Sequence, residues 1–303
     1  MCAMELNGNK IKTMKKKIAA VLFGIAAIAI GSCKPQPSGS TSISVSIQPQ
    51  KYLVQQLLGE DVAVNVLIPK GSSPATYAPS PVQMKELGES EVYLRIGHIG
   101  FEQAWTERIA EINPDLKIVD TSIGISYING EDYVHGDHVH KGGIDPHVWT
   151  SPKSMLTVLA NTRQALLSIF PEKREEILKR STAIEQKVKT LDNEFKTKCE
   201  SLTNKSFYIF HPAYTYLARD YGLEQISIEH KGNEPSAQWL RKLIDKAREQ
   251  NIKAIFIQEE FDKRNAEILA AELNIPTVQV NPLSVDWENE MRQTLLKLEK
   301  ALR

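Results

Sequence analysis

From residue 43 onward, short runs of β-branched and aromatic residues alternate with stretches of helical period. The strand-like runs of the first half are ISVSI (43–47), VAVNVLI (62–68), VYLRIG (92–97) and LKIVDT (116–121), with helical stretches predicted over 52–58 and 81–87. The second half repeats the scheme with SFYIF (206–210), LEQISI (223–228), KAIFIQ (253–258) and PTVQV (276–280), interleaved with helices over 213–221, 236–250 and 263–273. Strands that alternate with helices pair in parallel and are covered on their faces, so the pattern predicts two similar α/β lobes. Between them, Ile177, Ile184, Val188, Leu191 and Phe195 recur at spacings of seven, four, three and four, which is one face of a long amphipathic helix. Too few heptads follow to sustain a coiled coil, so a stiff connector laid across both lobes is expected. One rigid helix between the lobes implies closure by a small rocking motion.

The chain's 303 residues exceed what a single core comfortably serves, which agrees with two lobes. Lysine plus arginine balance aspartate plus glutamate at 37 each, so no positive surplus draws the body to nucleic acid. The N-terminus has a separate logic. Lys15, Lys16 and Lys17 precede an apolar run over 18–30 that ends in Gly31, Ser32 and Cys33, a run too short to span a membrane. Small residues before a cysteine look like a lipobox, with Cys33 the lipidated first residue of the mature chain; an ordinary signal peptide and a signal anchor are the alternatives. Met14 is the natural start of such a signal. The expected organisation is a signal at 1–32, a Pro-, Ser- and Gly-rich lipidated tether at 33–42, an N-terminal lobe at 43–170, a linking helix at 171–203 and a C-terminal lobe at 204–303. Cys199 is then the only other mature cysteine, and no intrachain disulfide stabilises the lobes, which depend on buried apolar area or on a bound ligand.

In open α/β sheets ligands gather beyond the carboxyl ends of the strands. Three histidines fall at such places: His98 after VYLRIG, His211 after SFYIF, and His147 in DPHVW ahead of a helix starting near Ser151. A lone histidine there is usually structural, but three together point to a metal, since neutral imidazole is the commonest side-chain ligand of zinc. Convergence requires the lobes to face each other, with His98 and His147 on one wall and His211 on the other.

In order along the chain, GSSPATYAPSP, DPHVW, HPAYTYLARDYGL, EQISIE with NEPS, FIQEEF and NPLSVDW resemble the zinc- and manganese-type (ZnuA/TroA-like) substrate-binding lipoproteins of bacterial ABC importers. The resemblance covers essentially the whole mature chain. It implies two Rossmann-like lobes joined by a backbone helix, a metal site in the cleft, and a permease partner in the cytoplasmic membrane. Carried over by position, the family's second and third ligands fall on His147 and His211. Its first, usually histidine, falls on Ala75, and its fourth, usually aspartate, on Asn281. A methyl group cannot ligate and a neutral amide is a weak zinc donor, so a rebuilt site is expected, with His98 and Glu260 as replacements and Glu259 close behind. Asn281 and Glu102 suit hydrogen bonds that fix a ligand ring. The segment HGDHVHK carries His135, His138 and His140 at the place where zinc-type members often have a histidine-rich loop, which favours zinc over manganese. It reads as a weak capture element or as a solvated loop.

The function expected is therefore capture of Zn2+ outside the cytoplasmic membrane, in the periplasm or at a cell surface, for an ABC permease, by a monomer held to lipid through Cys33. No HExxH or comparable pairing supports a zinc hydrolase, so no catalytic residue is expected. An adhesin or structural lipoprotein that has lost metal binding is the alternative that Ala75 and Asn281 favour.

Overall fold

The computed structural model describes residues 42–303, apart from 61, 75, 131–132, 136–137, 141–142 and 231; the side chains of Thr106, Ile112 and the strand residues between 133 and 140 are likewise outside the description. Cys33 and the N-terminal signal lie outside it. Among the described residues, no helix is long and apolar enough to cross a membrane.

The first lobe is built from β1 (Ile43–Val45), α1 (Gln48–Leu58), β2 (Val64–Val66), α2 (Pro81–Gly88), β3 (Val92–Arg95), α3 (Gly100–Ile112) and β4 (Lys117–Asp120). Its strands are parallel in the order β2-β1-β3-β4. A two-stranded antiparallel hairpin follows, β5 (Tyr133–His135) with β6 (His138–His140), in which His135 is opposite His138 and Tyr133 opposite His140. Next come α4 (Pro152–Ile169) and the long α5 (Arg174–Glu200). The second lobe comprises β7 (Ser206–Ile209), α6 (Thr215–Tyr221), β8 (Glu224–Ser227), α7 (Ala237–Glu249), β9 (Ile255–Gln258), α8 (Arg264–Leu273), β10 (Thr277–Val280) and a closing α9 (Trp287–Leu302). Its parallel order, β10-β9-β7-β8, is the first lobe's order read in the other direction, so the two lobes share one topology.

Sequence chemistry explains the element ends. Ser80 caps α2, its hydroxyl accepting from the Gln83 N–H while Gln83 reaches back to Ser80, and Pro81 occupies the first turn, where its missing N–H costs nothing. Ser236 caps α7 in the same way through the Trp239 N–H. The apolar face of α5 is buried throughout: Ile177, Ile184, Val188, Leu191 and Phe195 are at most 2% exposed. These side chains belong to one core that also contains Leu53 and Leu57 of α1, Leu159 of α4 and Leu295 and Leu298 of α9, so α5 serves both lobes. Rim ion pairs Lys187–Glu288, Arg292–Glu194 and Lys198–Glu299 join α5 to α9 and contribute at most about 1 kcal/mol each.

Candidate metal centre

His211 sits one residue beyond the last rung of the β7–β9 pairing, where the Phe210 N–H donates to the Phe256 carbonyl at 3.0 Å. Gln258, the buried last residue of β9, then continues the ladder with its side chain. Its Oε1 accepts from the His211 N–H at 3.3 Å and its Nε2 donates to the His211 carbonyl at 2.7 Å. Glu229, just past β8, takes the ring's Nδ1 at 3.0 Å, and Phe261 stacks on the ring face with centroids 4.5 Å apart. Three neighbouring strand ends of one lobe thus fix the backbone, tautomer and plane of this imidazole.

His147 is set by its own short motif. Asp145 Oδ1 accepts both the His147 backbone N–H and its Nδ1, each at 2.8 Å, so a DxH sequence closes a local turn and orients the ring at once. The segment is anchored to the second lobe. Tyr216 of α6 donates to the Asp145 carbonyl at 2.7 Å, Trp149 Nε1 donates to the Pro282 carbonyl at 2.8 Å, and Trp287 Nε1 donates to the Trp149 carbonyl at 2.8 Å. Ser151 donates to Asp220 at 2.6 Å. Buried indole and phenol donors of the 145–151 region and of the second lobe thus satisfy one another's polar groups, while the Asp145 N–H donates to the Ile128 carbonyl, beyond β4, at 2.8 Å.

The two rings meet at Nε2. The Nε2···Nε2 distance is 3.3 Å and the ring centroids are 5.1 Å apart. A carboxylate only accepts, so each Nδ1 carries the proton and each Nε2 presents a lone pair. Two lone pairs aimed at each other repel unless a cation lies between them. Zinc–nitrogen bonds of about 2.0–2.1 Å at a tetrahedral angle put the two nitrogens about 3.3–3.4 Å apart, which the pair already matches. Burial lowers the pKa of His211 from its ordinary 6.5, against the opposing pull of Glu229, and so keeps the ring neutral for ligation. Burial raises the Asp145 pKa, but the electrostatic pull of His147 and the hydrogen bonds from its ring and backbone N–H outweigh it and hold the carboxyl below its usual range. Each ring is therefore half of a carboxylate–histidine pair whose Nε2 could ligate a metal.

A cavity of about 10 Å³, room for one water-sized occupant, touches both rings and is lined also by Glu260, Trp149, Phe261 and Pro74. Glu260 Oε2 is buried there with no hydrogen-bond partner, and burial, helped by the charge of Glu259, raises its pKa. An unsatisfied buried carboxylate oxygen beside two aimed imidazoles is the donor set a divalent cation completes. Among the described residues no three His, Cys, Asp or Glu side chains are already gathered closely enough to hold an ion, so Glu260 must still approach the pair.

Residues 43–301 match the family model for the zinc-uptake complex component A, periplasmic, called ZnuA. The chain belongs to this family. Within the ZnuA family and its neighbours, it is 27% identical over 288 residues to the zinc-binding lipoprotein AdcA of Streptococcus pneumoniae, covering 91% of this chain and 57% of AdcA. The chain thus spans little more than half the length of that relative. It is also 27% identical to the high-affinity zinc uptake system protein ZnuA of Bacillus subtilis, covering 88% of this chain and 86% of that one. A crystal structure of ZnuA superposes with a TM-score of 0.81 at 34% identity, covering 88% of this chain and all of the other, and a zinc-bound ZnuA lacking residues 138–173 gives 0.79 at 33% identity, covering 87% and 98%.

Other expected site residues fall differently from expectation. His98 does not line the cavity of the histidine pair; its ring packs edge-on against Tyr127 with centroids 4.5 Å apart, and burial lowers its pKa. The reason lies in the preceding turn. Gly97 adopts φ +98°, and a Cβ there would lie 2.0 Å from Asp120, so the chain turns tightly against β4 and carries His98 with it. Glu102 fixes that turn rather than a ring: it accepts the backbone N–H groups of Ile96, Gly97 and Ile99 and the hydroxyl of Ser46. Asn281 is likewise occupied with its own loop, its Oδ1 accepting the Leu283 N–H at 3.1 Å. Glu259 is exposed. Ala75 lies outside the described residues, as do the side chains of His135, His138 and His140. The ring-fixing carboxylates Asp145 and Glu229 and the amide of Gln258 were not anticipated. The DxH spacing was the available signal for the first; for the other two only the strand register reveals the contact.

Proposed function

We propose that this chain is an exported, lipid-anchored binding protein that takes up Zn2+, with Mn2+ the lesser alternative, and delivers it to an ABC permease. His147, His211 and Glu260 are its protein ligands in this reading, and Asp145, Glu229 and Gln258 hold them. One observation carries it: two imidazoles, each tied through Nδ1 to a carboxylate, oppose their Nε2 atoms at 3.3 Å beside a buried carboxylate oxygen that has no partner. Membership of the zinc-uptake family agrees with it. Two nitrogens and one oxygen favour zinc over the all-oxygen preference of manganese. The lipid anchor at Cys33, the permease and an extracytoplasmic location rest on the sequence motif and on the family.

The test is direct. The chelator-stripped chain should take up zinc stoichiometrically by elemental analysis, and competition against a zinc indicator should show preference over Mn2+. A stripped chain that acquires no zinc would sink the proposal.

A further inference from the structure

Glu260 borders three cavities, which differ in size and charge. The inner one, shared with the histidine pair, is about 10 Å³. A second, also about 10 Å³, is lined by Ile47, Ile68, Leu283 and the cationic Lys70. The third is about 350 Å³ and shares His211, Glu260 and Phe261 with the inner one. Of these three, the last alone has room for a cation with its shell of waters, and Lys70 opposes a cation in the second.

The large cavity grades from solvent to the rings. Thr76, Asn233 and Glu234 at its mouth are exposed, Phe261 and Glu260 are half-buried, and Phe210 and Glu229 are buried. Its carboxylates follow the same order: Glu234 outermost, then Glu260 with its unpartnered Oε2, then Glu229 behind the ring of His211. A cleft lined by one sign of charge focuses the field and concentrates the opposite ion.

One side of the mouth is preset. The 230–233 turn is closed by two backbone hydrogen bonds, from the His230 N–H to the Asn233 carbonyl at 3.0 Å and from the Asn233 N–H to the His230 carbonyl at 3.1 Å, with Gly232 at φ +75°. Trp239 braces its base, donating to the Ile228 carbonyl at 2.9 Å and packing against His230. Asn265 of α8 donates to the Glu234 carboxylate, and the nearby Arg264 is paired with Asp262 at 2.6 Å. Across the mouth stand Ser73 and Thr76, from the loop after β2.

Resting on the zinc reading above, we propose that Zn2+ enters and leaves through this cavity, between the 73–76 turn and the 229–234 loop, and that Glu234 sets the loading rate without ligating the bound ion. The carboxylate at the mouth draws in the aquated cation, which sheds water as it passes Glu260 to the two Nε2 atoms. A rim charge acts on encounter and a ligand on retention, so the route and the site separate kinetically.

The full chain, stripped of metal in detergent, is mixed with Zn2+ by stopped flow. Tryptophan fluorescence reads association, since the rings of Trp149 and His147 are 5.2 Å apart, and excess chelator reads release. Glu234→Gln should slow association about threefold in low salt, with the difference gone in high salt and release unchanged. Thr76→Trp, or Asn233→Trp from the opposite wall should the first not fold, should slow association and release together by about tenfold while equilibrium affinity stays within about threefold of the parent. Plugged variants that load and release zinc at parental rates overturn the route. A Glu234→Gln variant that associates at the parental rate, or releases zinc faster, overturns the role given to Glu234. Zinc binding itself stands in both cases, whereas a stripped chain that acquires no zinc overturns this inference and the zinc reading together.

Discussion

The two lobes share a strand order and differ in what their strand ends carry. In the second lobe, the ends of β7, β8 and β9 present His211, Glu229, Gln258 and Glu260 to one place, and the lobe also holds the His147 segment through Tyr216, Trp149 and Trp287. In the first, the polar groups at the strand ends close on one another: Glu102 binds backbone and Ser46, and Asp120 takes the hydroxyl of Ser122, which also meets Tyr127. Its contribution to the inner cavity is Pro74. One topology therefore supports two uses of the same edge, a preset half-site and a cover. Lobe closure should then act by excluding water from the ion and bringing Glu260 in, with the imidazoles already in place.

The largest effect should follow from breaking the half-site. His211→Ala or His147→Ala removes one of the three proposed protein donors from an interaction of about 10–16 kcal/mol, so zinc affinity measured by competition should fall by about two to three orders of magnitude. Loss from only one of the two variants would show that the pair is not the common anchor.

Glu260→Gln separates ligation from stability. In the metal-free protein it replaces a buried, unsatisfied carboxylate oxygen by a neutral amide, which should raise unfolding free energy by about 1–2 kcal/mol in denaturant melts. Zinc affinity should drop by about tenfold or more, since an amide is a weak donor. A variant no more stable than the parent when metal-free would mean that the carboxylate is satisfied in solution.

Next in size are the carboxylates behind the rings. Asp145→Asn and Glu229→Gln let an amide donate to Nδ1, which places the imidazole proton on Nε2 and blocks ligation; affinity should fall by about 10–100-fold without loss of fold. Equal affinity in both variants and the parent would reduce these carboxylates to packing.

How much of this was legible in the sequence depends on the range of the interaction. Strand and helix alternation and the α5 face were readable because periodicity is local. His147 and His211 were readable as candidates, the first from DPHVW ahead of a helix and the second directly after SFYIF, and Glu260 because it follows the KAIFIQ strand. What anchors the His147 segment was not readable. It depends on hydrogen bonds from Trp149 to Pro282 and from Trp287 to Trp149, partners more than 130 positions apart. Gln258 was passed over because a glutamine ending a strand has no distinguishing pattern; only the β7–β9 register aligns it with the His211 backbone. His98 misled because position after a strand does not reveal a tight glycine turn. The helices α3 and α9, in which polar residues are at least as many as apolar ones, were not anticipated.

Acidification should have a smaller, graded effect on the metal-free protein. The pKa of His211 lies below 6.5 in the folded state through burial and near 6.5 when unfolded. Above about pH 6.5 the ring is neutral in both states and adds no pH dependence. As pH falls through 6.5 the unfolded chain binds the proton first, so stability declines until the folded pKa is reached. Melting temperature should fall by about 2–4 °C per kcal/mol lost over that window, and His211→Ala should flatten the profile. A profile indifferent to that substitution would mean that other groups govern the acid limb.

The least effect is expected where the first lobe's edge is tested. His98→Ala removes a half-buried ring from Tyr127 and leaves the 96–99 turn held by Glu102 and by the Gly97 conformation. Sites without shared partners couple by no more than about 0.5 kcal/mol, so zinc affinity should change by less than about threefold. A tenfold loss would be informative in the other direction. It would mean that closure carries the β3–α3 turn across to the histidine pair, and that the first lobe supplies a ligand after all.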